Sequence, residues 1–529
     1  MSAVHQYELL VFLLVVIIGL ELVARKMRLP PAAALIVGGI ALALIPGMPR
    51  FELDPELILV IFLPPLLSAG AFRTAWAEFR THLPGIISLA VGAVIFTTLV
   101  VGVVVHLLVP SLPWAVCFAI GAVVSPPDAV AAGAILQRLS LPVRLTTLLE
   151  GESLLNDATG LVLLRFAVAA GLTGMFSPGA ALGSFLWVAG AGTVVGIIAG
   201  FAGQWVFRRL PESELSIVAT LLLATISYIA AEWIHGSGVL ATVAAGLITG
   251  QGQFRTFTAT VRVRSGAFWG VLVFVLESVV FLLIGMSLHG AFARMLAAPD
   301  GIVALVVPAL GVIAAVIVSR FVWIYGTTFI EHLFSGQKSR KDTFASATVL
   351  SWAGMRGVVT LVGVLSLPDE MPGRDLAQIC AFSVILVTVL GQGTSLGWLI
   401  RFLRLSGAEE LLVRRNSANI AWMKVAEAQK RAVIALSRGP DGEELHPRLV
   451  ERYTHMARAT VEYAASPEEH RPKEEAHFHV VLAAIDAGRK EIVRLHNQGE
   501  VDDHTLRELG LNLDLQEMTA GLHLHEEEE

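Results

Sequence analysis

Apolar runs of about 20 residues recur along the first 400 positions of this chain, and about 20 such residues carry a helix across a hydrocarbon layer of ~30 Å. Inside lipid each backbone N–H and C=O must be satisfied within its own segment, so these runs predict helices. Thirteen spans are read, roughly at 8–24, 30–46, 56–72, 84–108, 113–136, 145–170, 180–207, 214–233, 237–251, 267–288, 301–331, 343–366 and 376–402. The chain is 55% hydrophobic and 16% charged, whereas soluble domains carry about 25% charged residues. Of its 82 charged residues, 39 lie beyond Arg404. The expectation is therefore a transmembrane domain over residues 1–404 and a helical, cytoplasmic tail over 405–529.

The net charge of −6 points to no nucleic-acid partner. Cys117 and Cys380 are far apart in apolar segments, which argues against a disulfide framework or a thiolate metal site. The stretch "MSAVHQYE" ahead of the first run lacks the basic segment of a signal peptide, so that run reads as a retained helix. Loops after odd-numbered spans carry Arg25, Lys26 and Arg28, then Arg73 and Arg80, Arg138 and Arg144, Arg208 and Arg209, Arg255, Arg262 and Arg264, and Lys338, Arg340 and Lys341. Loops after even-numbered spans carry Arg50, Arg294 and Arg374. Basic loops stay cytoplasmic, which puts the amino terminus outside and the tail inside a plasma membrane, expected to be a bacterial inner membrane.

Two spans are broken at mid-depth. Span five contains "SPPDAVAAG" (125–133) and span twelve contains "SWAGMRGVV" (351–359). They lie seven spans apart and run in opposite directions, the pattern left by an inverted-topology repeat with two discontinuous helices. Two independent kinks are the plainer alternative. The freed backbone groups must face protein or a cavity, not lipid. In the tail, 408–437 and 474–499 show mixed charge with apolar periodicity. Gly439-Pro440, and Pro467 with Pro472, are read as punctuation. The closing "HLHEEEE" reads as a frayed acidic end, with weak metal binding as the alternative.

A carboxylate at mid-bilayer costs ~2.5–3.5 kcal/mol on insertion scales, so each needs a partner, a cavity or a function. "LLEGESLLNDATGLVLL" (148–164) places Asp157 well inside span six, with Ser153 one turn before it on the same face and Asn156 beside it. Hydroxyl, amide and carboxylate oxygens together suit a small hard cation. Asp128 sits in the break of span five, where unwound carbonyls are also free. A cation entering between two such carboxylates would displace a proton, and that competition suffices for an exchanger. A cap, or a pairing with a buried arginine, is the structural alternative for Asp157. Glu152 and Arg320, a lone charge in span eleven, are expected to pair and hold span six in position. Arg356, in the break of span twelve, would offset helix-end carbonyl charge or repel a second cation. Glu277 in span ten would guide cations or bond to backbone. Glu150, Glu21 and Glu232 lie nearer span ends and reach water.

"SPPDAVA", "EGESLLNDATG" and "GMRGVVTL", with 29 positions from Asp128 to Asp157, closely resemble the sodium/proton exchangers of the cation:proton antiporter superfamily. The likeness is to the NhaP-like branch, which also holds the animal exchangers of solute carrier family 9, and covers about residues 8–403. It implies an all-α membrane protein of about 13 helices with inverted repeats and two crossed discontinuous helices. It also implies a homodimer and alternating access by vertical movement of a core domain. By position, Asp128, Ser153 and Asp157 match the ion site, Asn156 the family's asparagine, and Glu152 with Arg320 a structural ion pair. The Asn156-Asp157 pair implies electroneutral exchange of one cation for one proton. Two departures stand out. Many relatives have Thr-Asp-Pro where this chain has Pro127-Asp128-Ala129, leaving Ser125 or a backbone carbonyl to replace a hydroxyl ligand. Some relatives carry a glutamate in span three, where this chain reads "IFLPPLLSAG". The tail resembles no family.

An intramembrane aspartyl protease needs a Gly-x-Gly-Asp context, which the sequence lacks, and no histidine lies deep beside Ser153. A channel needs no titratable site, and a symporter would move both ions one way. The chain is therefore expected to be a transporter, not an enzyme. Na+ or Li+ and H+ are its substrates, no cofactor is expected, and K+ is the alternative cation. The tail holds nine of the fifteen histidines, residues that titrate near neutral pH, and is a candidate regulator.

Overall fold

The structure is a computed structural model that describes residues 3–27, 29–45, 55–128, 141–174, 178–210, 213–297, 301–335, 340–368, 370–405 and 407–525. Those residues are helical throughout, apart from loops and one β-bridge between Arg438 and Glu444. The chain forms two compact units divided after Leu405.

The first unit contains α1 (Ala3–Met27), α2 (Pro31–Ala43), α3 (Pro55–Arg73), the short α4 (Trp76–Thr81), α5 (Leu83–Leu108), α6 (Trp114–Val124), α7 (Val143–Thr173) and α8 (Pro178–Phe207). It continues with α9 (Ser213–Trp233), α10 (Gly238–Thr256), α11 (Ala259–Ala297), α12 (Gly301–Ser335), α13 (Arg340–Trp352), α14 (Val358–Leu365) and α15 (Arg374–Leu403). Seven of the described helices are long and apolar enough to cross a membrane, namely α5, α7, α8, α9, α11, α12 and α15. Prolines set several starts: Pro30 and Pro31 open α2, Pro113 precedes α6 and Pro142 precedes α7. Proline has no N–H to lose at a first turn. Gly174 ends α7 at φ 69°, returning its N–H to Ala170 O.

Two modes of packing hold this unit together. One is an aliphatic core shared by α5, α6, α7, α12 and α15, built on residues such as Val105, Ile120, Leu164, Val316 and Val384. The other is close backbone approach through small residues, the usual mode where lipid removes any hydrophobic drive between helices. Gly192, Gly196 and Gly200 form one stripe of α8 against Ser237, Ala241 and Ile248 of the α10 segment, and a Cβ at Gly196 would collide with Ala241 O. Gly39 of α2 and Gly285 of α11 meet in the same way.

Span twelve is two helices, α13 and α14, separated by the non-helical residues 353–357. The helical part of span five, α6, ends at Val124, and Ser125–Asp128 continue without helix. Residues 129–136 of that span lie outside the described residues. Two π-helical turns, Ser88–Ala93 and Thr388–Gln392, interrupt α5 and α15.

The second unit consists of α16 (Ala408–Leu436), α17 (Pro447–Ala465), α18 (Pro467–Asn497) and α19 (Asp503–His525). It pairs α16 with α17 and α18 with α19. Pro472 does not punctuate the chain as read from the sequence: α18 starts at Pro467 and runs through Pro472. The helix continues there at the loss of one i→i−4 hydrogen bond, and the apolar contacts of its later turns, with Ile485 and Ile492 buried, favour a single rod.

Candidate ion-binding site

The two breaks meet. Asp128 N donates to Met355 O at 2.7 Å, so the extended segments bond to each other through backbone. Val358 is the first residue of α14, and its N–H donates to Asp128 Oδ2 at 3.3 Å. A carboxylate is thus placed at the positive end of a half-helix, where the unpaired N–H groups and the helix dipole both favour it. Gly357 allows the approach, because a Cβ there would overlap the Asp128 carboxylate.

Arg356 serves the opposite end. Its Nε donates to Val124 O at 2.9 Å and its Nη2 to Ser125 O at 3.1 Å, both carbonyls at the C-terminal end of α6. Nη1 donates to Gly354 O, and the backbone N–H donates to Thr388 Oγ1 at 3.1 Å. Thr388 opens the π-helical turn of α15, and its own hydroxyl donates a hydrogen bond to Val384 O at 2.7 Å. Of the two roles open to Arg356 in the sequence, compensation of helix-end carbonyls is the one its contacts match.

Arg320 closes the end of the other interrupted helix. It donates through Nε and Nη2 to Leu350 O, in the last turn of α13, at 3.2 and 3.1 Å. It also grips Glu152 in a two-point pair, Nη1 to Oε1 at 2.6 Å and Nη2 to Oε2 at 2.8 Å. The C-terminal carbonyls of α6 and of α13 therefore each have their own guanidinium. Gly354 makes room for both, since its Cβ would strike Arg320.

Asp157 lies on α7, buried, with no hydrogen bond to a described residue and within electrostatic reach of Asp128. Asn156 Nδ2 donates to Pro127 O, tying α7 to the first break. Its Oδ1 is buried without a partner among the described residues, an acceptor left open beside Asp157. Ser153 stands one turn before Asp157 and, with Pro127, Glu152 and Arg320, lines a void of about 10 Å³, room for at most one water. The Ser125 hydroxyl accepts from Thr98 Oγ1 at 3.1 Å and donates to Ala122 O at 3.2 Å. It is thereby engaged with α5 and its own helix. Glu277 lies on α11, within electrostatic reach of both Asp128 and Arg73. Glu150 is exposed.

Sequence reasoning named Arg356 but not the partners that define it. Gly354, Gly357, Thr388 and Thr98 were missed. Two glycines flanking an intramembrane arginine in "GMRG" are a local signal of close approach; Thr388 and Thr98 carry no such signal, being ordinary threonines in apolar helices.

A membrane-spanning helical unit in which the non-helical end of α6 and the break between α13 and α14 bond to each other beside a buried carboxylate fits the architecture of a secondary ion transporter. The sequence profile of the transmembrane sodium/hydrogen exchanger matches residues 10–402, and the chain belongs to that family, within the cation:proton antiporter superfamily. The chain is 32% identical over 499 residues to an uncharacterized Na+/H+ exchanger of Escherichia coli, covering 88% of this chain and 89% of that one. It is 31% identical over 402 residues to a sodium, potassium, lithium and rubidium/H+ antiporter of Bacillus subtilis, covering 72% and 60%. The fold is similar to that of the sodium proton antiporter MjNhaP1 from Methanocaldococcus jannaschii, with a TM-score of 0.59, 21% identity, and coverage of 76% of this chain and 99% of that one.

Proposed function

We propose that this protein exchanges Na+, and also Li+, for H+ across a plasma membrane, one for one. The observation that carries the reading is the placement of Asp157, buried and within reach of Asp128, where the two helix breaks bond to each other. Asp157 and Asp128 offer the charge for a cation, and Ser153 and Asn156 offer neutral oxygens. The same carboxylates hold the proton when the cation is absent. An empty, charged site moves poorly because its buried charge is uncompensated. Occupancy by one ion or the other therefore couples the two fluxes, driven by ion gradients with no bound cofactor. With one charge moving each way, membrane potential does no net work, against ~2.3 kcal/mol per net charge per 100 mV for an electrogenic cycle.

Glu152 and Arg320 brace α7 against α13, and Arg356 fixes the crossing. The finer architecture belongs to the same proposal: thirteen spans with inverted repeats, a homodimer, the amino terminus outside and the tail in the cytoplasm. The tail acts as regulator of an exchanger domain that ends near residue 404, in the service of pH and sodium homeostasis. K+ is the second cation to test, since the B. subtilis relative carries potassium in its name.

Everted vesicles from an exchanger-deficient host, with the potential clamped, test this. Na+, Li+ or K+ added singly should move the pH with wild type and not with Asp157→Ala. Full exchange by Asp157→Ala would sink the assignment. A rate that follows an imposed potential would sink the one-for-one stoichiometry.

A further inference from the structure

A cavity of about 450 Å³ opens between α3, α4, α9, α10 and α11, and neither Asp128 nor Asp157 lines it. Its described wall carries two guanidiniums, Arg73 and Arg262, and no carboxylate. Arg262 is held in place. Its Nη1 donates to Phe257 O at 2.6 Å, and its Cζ lies 5.2 Å from the centroid of the Phe254 ring. Its remaining N–H groups, and all those of Arg73, have no hydrogen-bond partner among the described residues. Gln251 and Gln253 add amides to the rim, while Phe72, Trp76 and Trp269 supply apolar wall. Thr220, by contrast, is satisfied, accepting from Trp269 Nε1 at 3.2 Å and donating to Ile217 O at 2.6 Å.

This inventory selects a ligand class. A wall with two guanidiniums and no carboxylate repels cations. A neutral apolar ligand would leave both guanidiniums without a charged partner inside the cavity, since Glu277, which reaches Arg73, is not part of its wall. Two guanidiniums on one cavity wall, with N–H donors that no described residue uses, suit the oxygens of a phosphate group, and arginine is the side chain best shaped for that recognition. The volume is that of a small-molecule pocket. The cavity also lies where α3 and α10 end and α11 begins, with Arg73, Arg255, Arg262 and Arg264 in those turns, the basic end that the positive-inside rule turns toward anionic headgroups.

We infer that the cavity between Arg73 and Arg262 binds a phosphate-bearing anion, supplied as an anionic lipid headgroup or as free phosphate.

The test uses the full chain, purified and delipidated in detergent, and reads binding rather than transport, so that it stands or falls apart from the exchange assay. Phosphatidylglycerol, phosphatidylcholine and inorganic phosphate are titrated separately, with thermal midpoint and native mass spectra as readouts. Phosphatidylglycerol should bind and raise the midpoint, with affinity falling roughly tenfold for Arg73→Gln or Arg262→Gln, the loss of a charge-assisted hydrogen bond. Arg144→Gln, whose arginine pairs with Glu331 elsewhere on the surface, should bind as wild type does. Saturation by millimolar phosphate, equally sensitive to both arginines, would identify the free anion as the occupant. Binding of neither anion, or equal losses in Arg144→Gln and in the two cavity variants, would overturn the inference. The single variants alter side chains at a cavity wall, and a monodisperse elution profile establishes their folding first.

Discussion

Two arginine clamps in this molecule use the same chemistry in opposite surroundings. Arg320 holds Glu152 with side-chain exposures of 3% and 2%. In the tail, Arg489 holds Asp514 at 2.7 Å and also Glu517, with exposures of 39%, 59% and 47%. Water competes for every group of the second clamp and screens it, so such pairs contribute about 0–1 kcal/mol. The first has no water to fall back on. Its formation offsets a large desolvation penalty, and removing one partner leaves a charge stranded in the interior. Similar distances therefore describe one contact that the fold depends on and one that it can lose. Arg320 further bonds a helix-end carbonyl, so its loss would strip a brace and a cap together.

The largest effect should come from Arg320→Met. It strands Glu152, and removal of one partner of a buried pair costs ~3–5 kcal/mol. Thermal unfolding in detergent should show a midpoint well below wild type, and Glu152→Gln in the same chain should recover most of it. Equal midpoints for wild type and the single variant would break the comparison at its buried end. Gly357→Ala comes next, because its Cβ would displace the Asp128 carboxylate from α14. A cost of ~1–3 kcal/mol is expected for such overpacking, with exchange falling further than stability if the proposed role of the Asp128 carboxylate in the ion site is right. Vesicle exchange rates compared with unfolding midpoints separate the two losses.

Arg356→Gln should cost a similar ~1–3 kcal/mol through unsatisfied carbonyls at Val124 and Ser125. Arg356→Lys should recover only part of this, since an ammonium cannot reproduce the guanidinium fork. Full recovery by lysine would mean that charge alone matters there. At the exposed end, Arg489→Ala should shift the tail's melting by an amount near the detection limit, consistent with ~0–1 kcal/mol, and leave exchange unchanged.

The smallest effect is a pH dependence at the start of α19. Asp502 accepts the Thr505 N–H at 2.7 Å, an N-cap bond. That backbone hydrogen bond holds its carboxyl below the usual carboxylate range. A depressed folded-state pKa means the cap is fully in place above the unfolded carboxylate value and is lost as pH falls through the folded one. Circular dichroism of Asp502→Ala should therefore show less helix than wild type at neutral pH and converge with it in acid. A difference that persists in acid would mean the cap works without its charge.

Much of the molecule could be read before its structure. Lipid admits few solutions for a backbone, so most of the apolar runs translated into helices with ends a few residues from those read, although α11 begins eight residues before the span at 267–288 and ends nine after it. Intramembrane charge is costly enough that "ESLLND" and a proline-flanked aspartate pointed to a candidate site, and the lone Arg320 to a need for an acid, which Glu152 supplies. What the sequence could not settle is which of several roles each charge takes. Arg356 had two, and only its contacts with Val124, Ser125 and Gly354 selected one. Pro472 looked like a stop, yet the packing of later turns carried α18 through it.

By itself, then, the sequence determined most helices of the first unit, where its two breaks begin and the identity of the charged residues, because solvation in lipid acts on each segment separately. The tertiary structure alone decided that Asp128 caps α14, that Asn156 holds Pro127, and that each arginine closes a different half-helix. Those contacts join residues about 30 to 230 positions apart. They depend on backbones brought together at glycines whose purpose is to leave space, and empty space beside a glycine has no signature in the residues of a single segment.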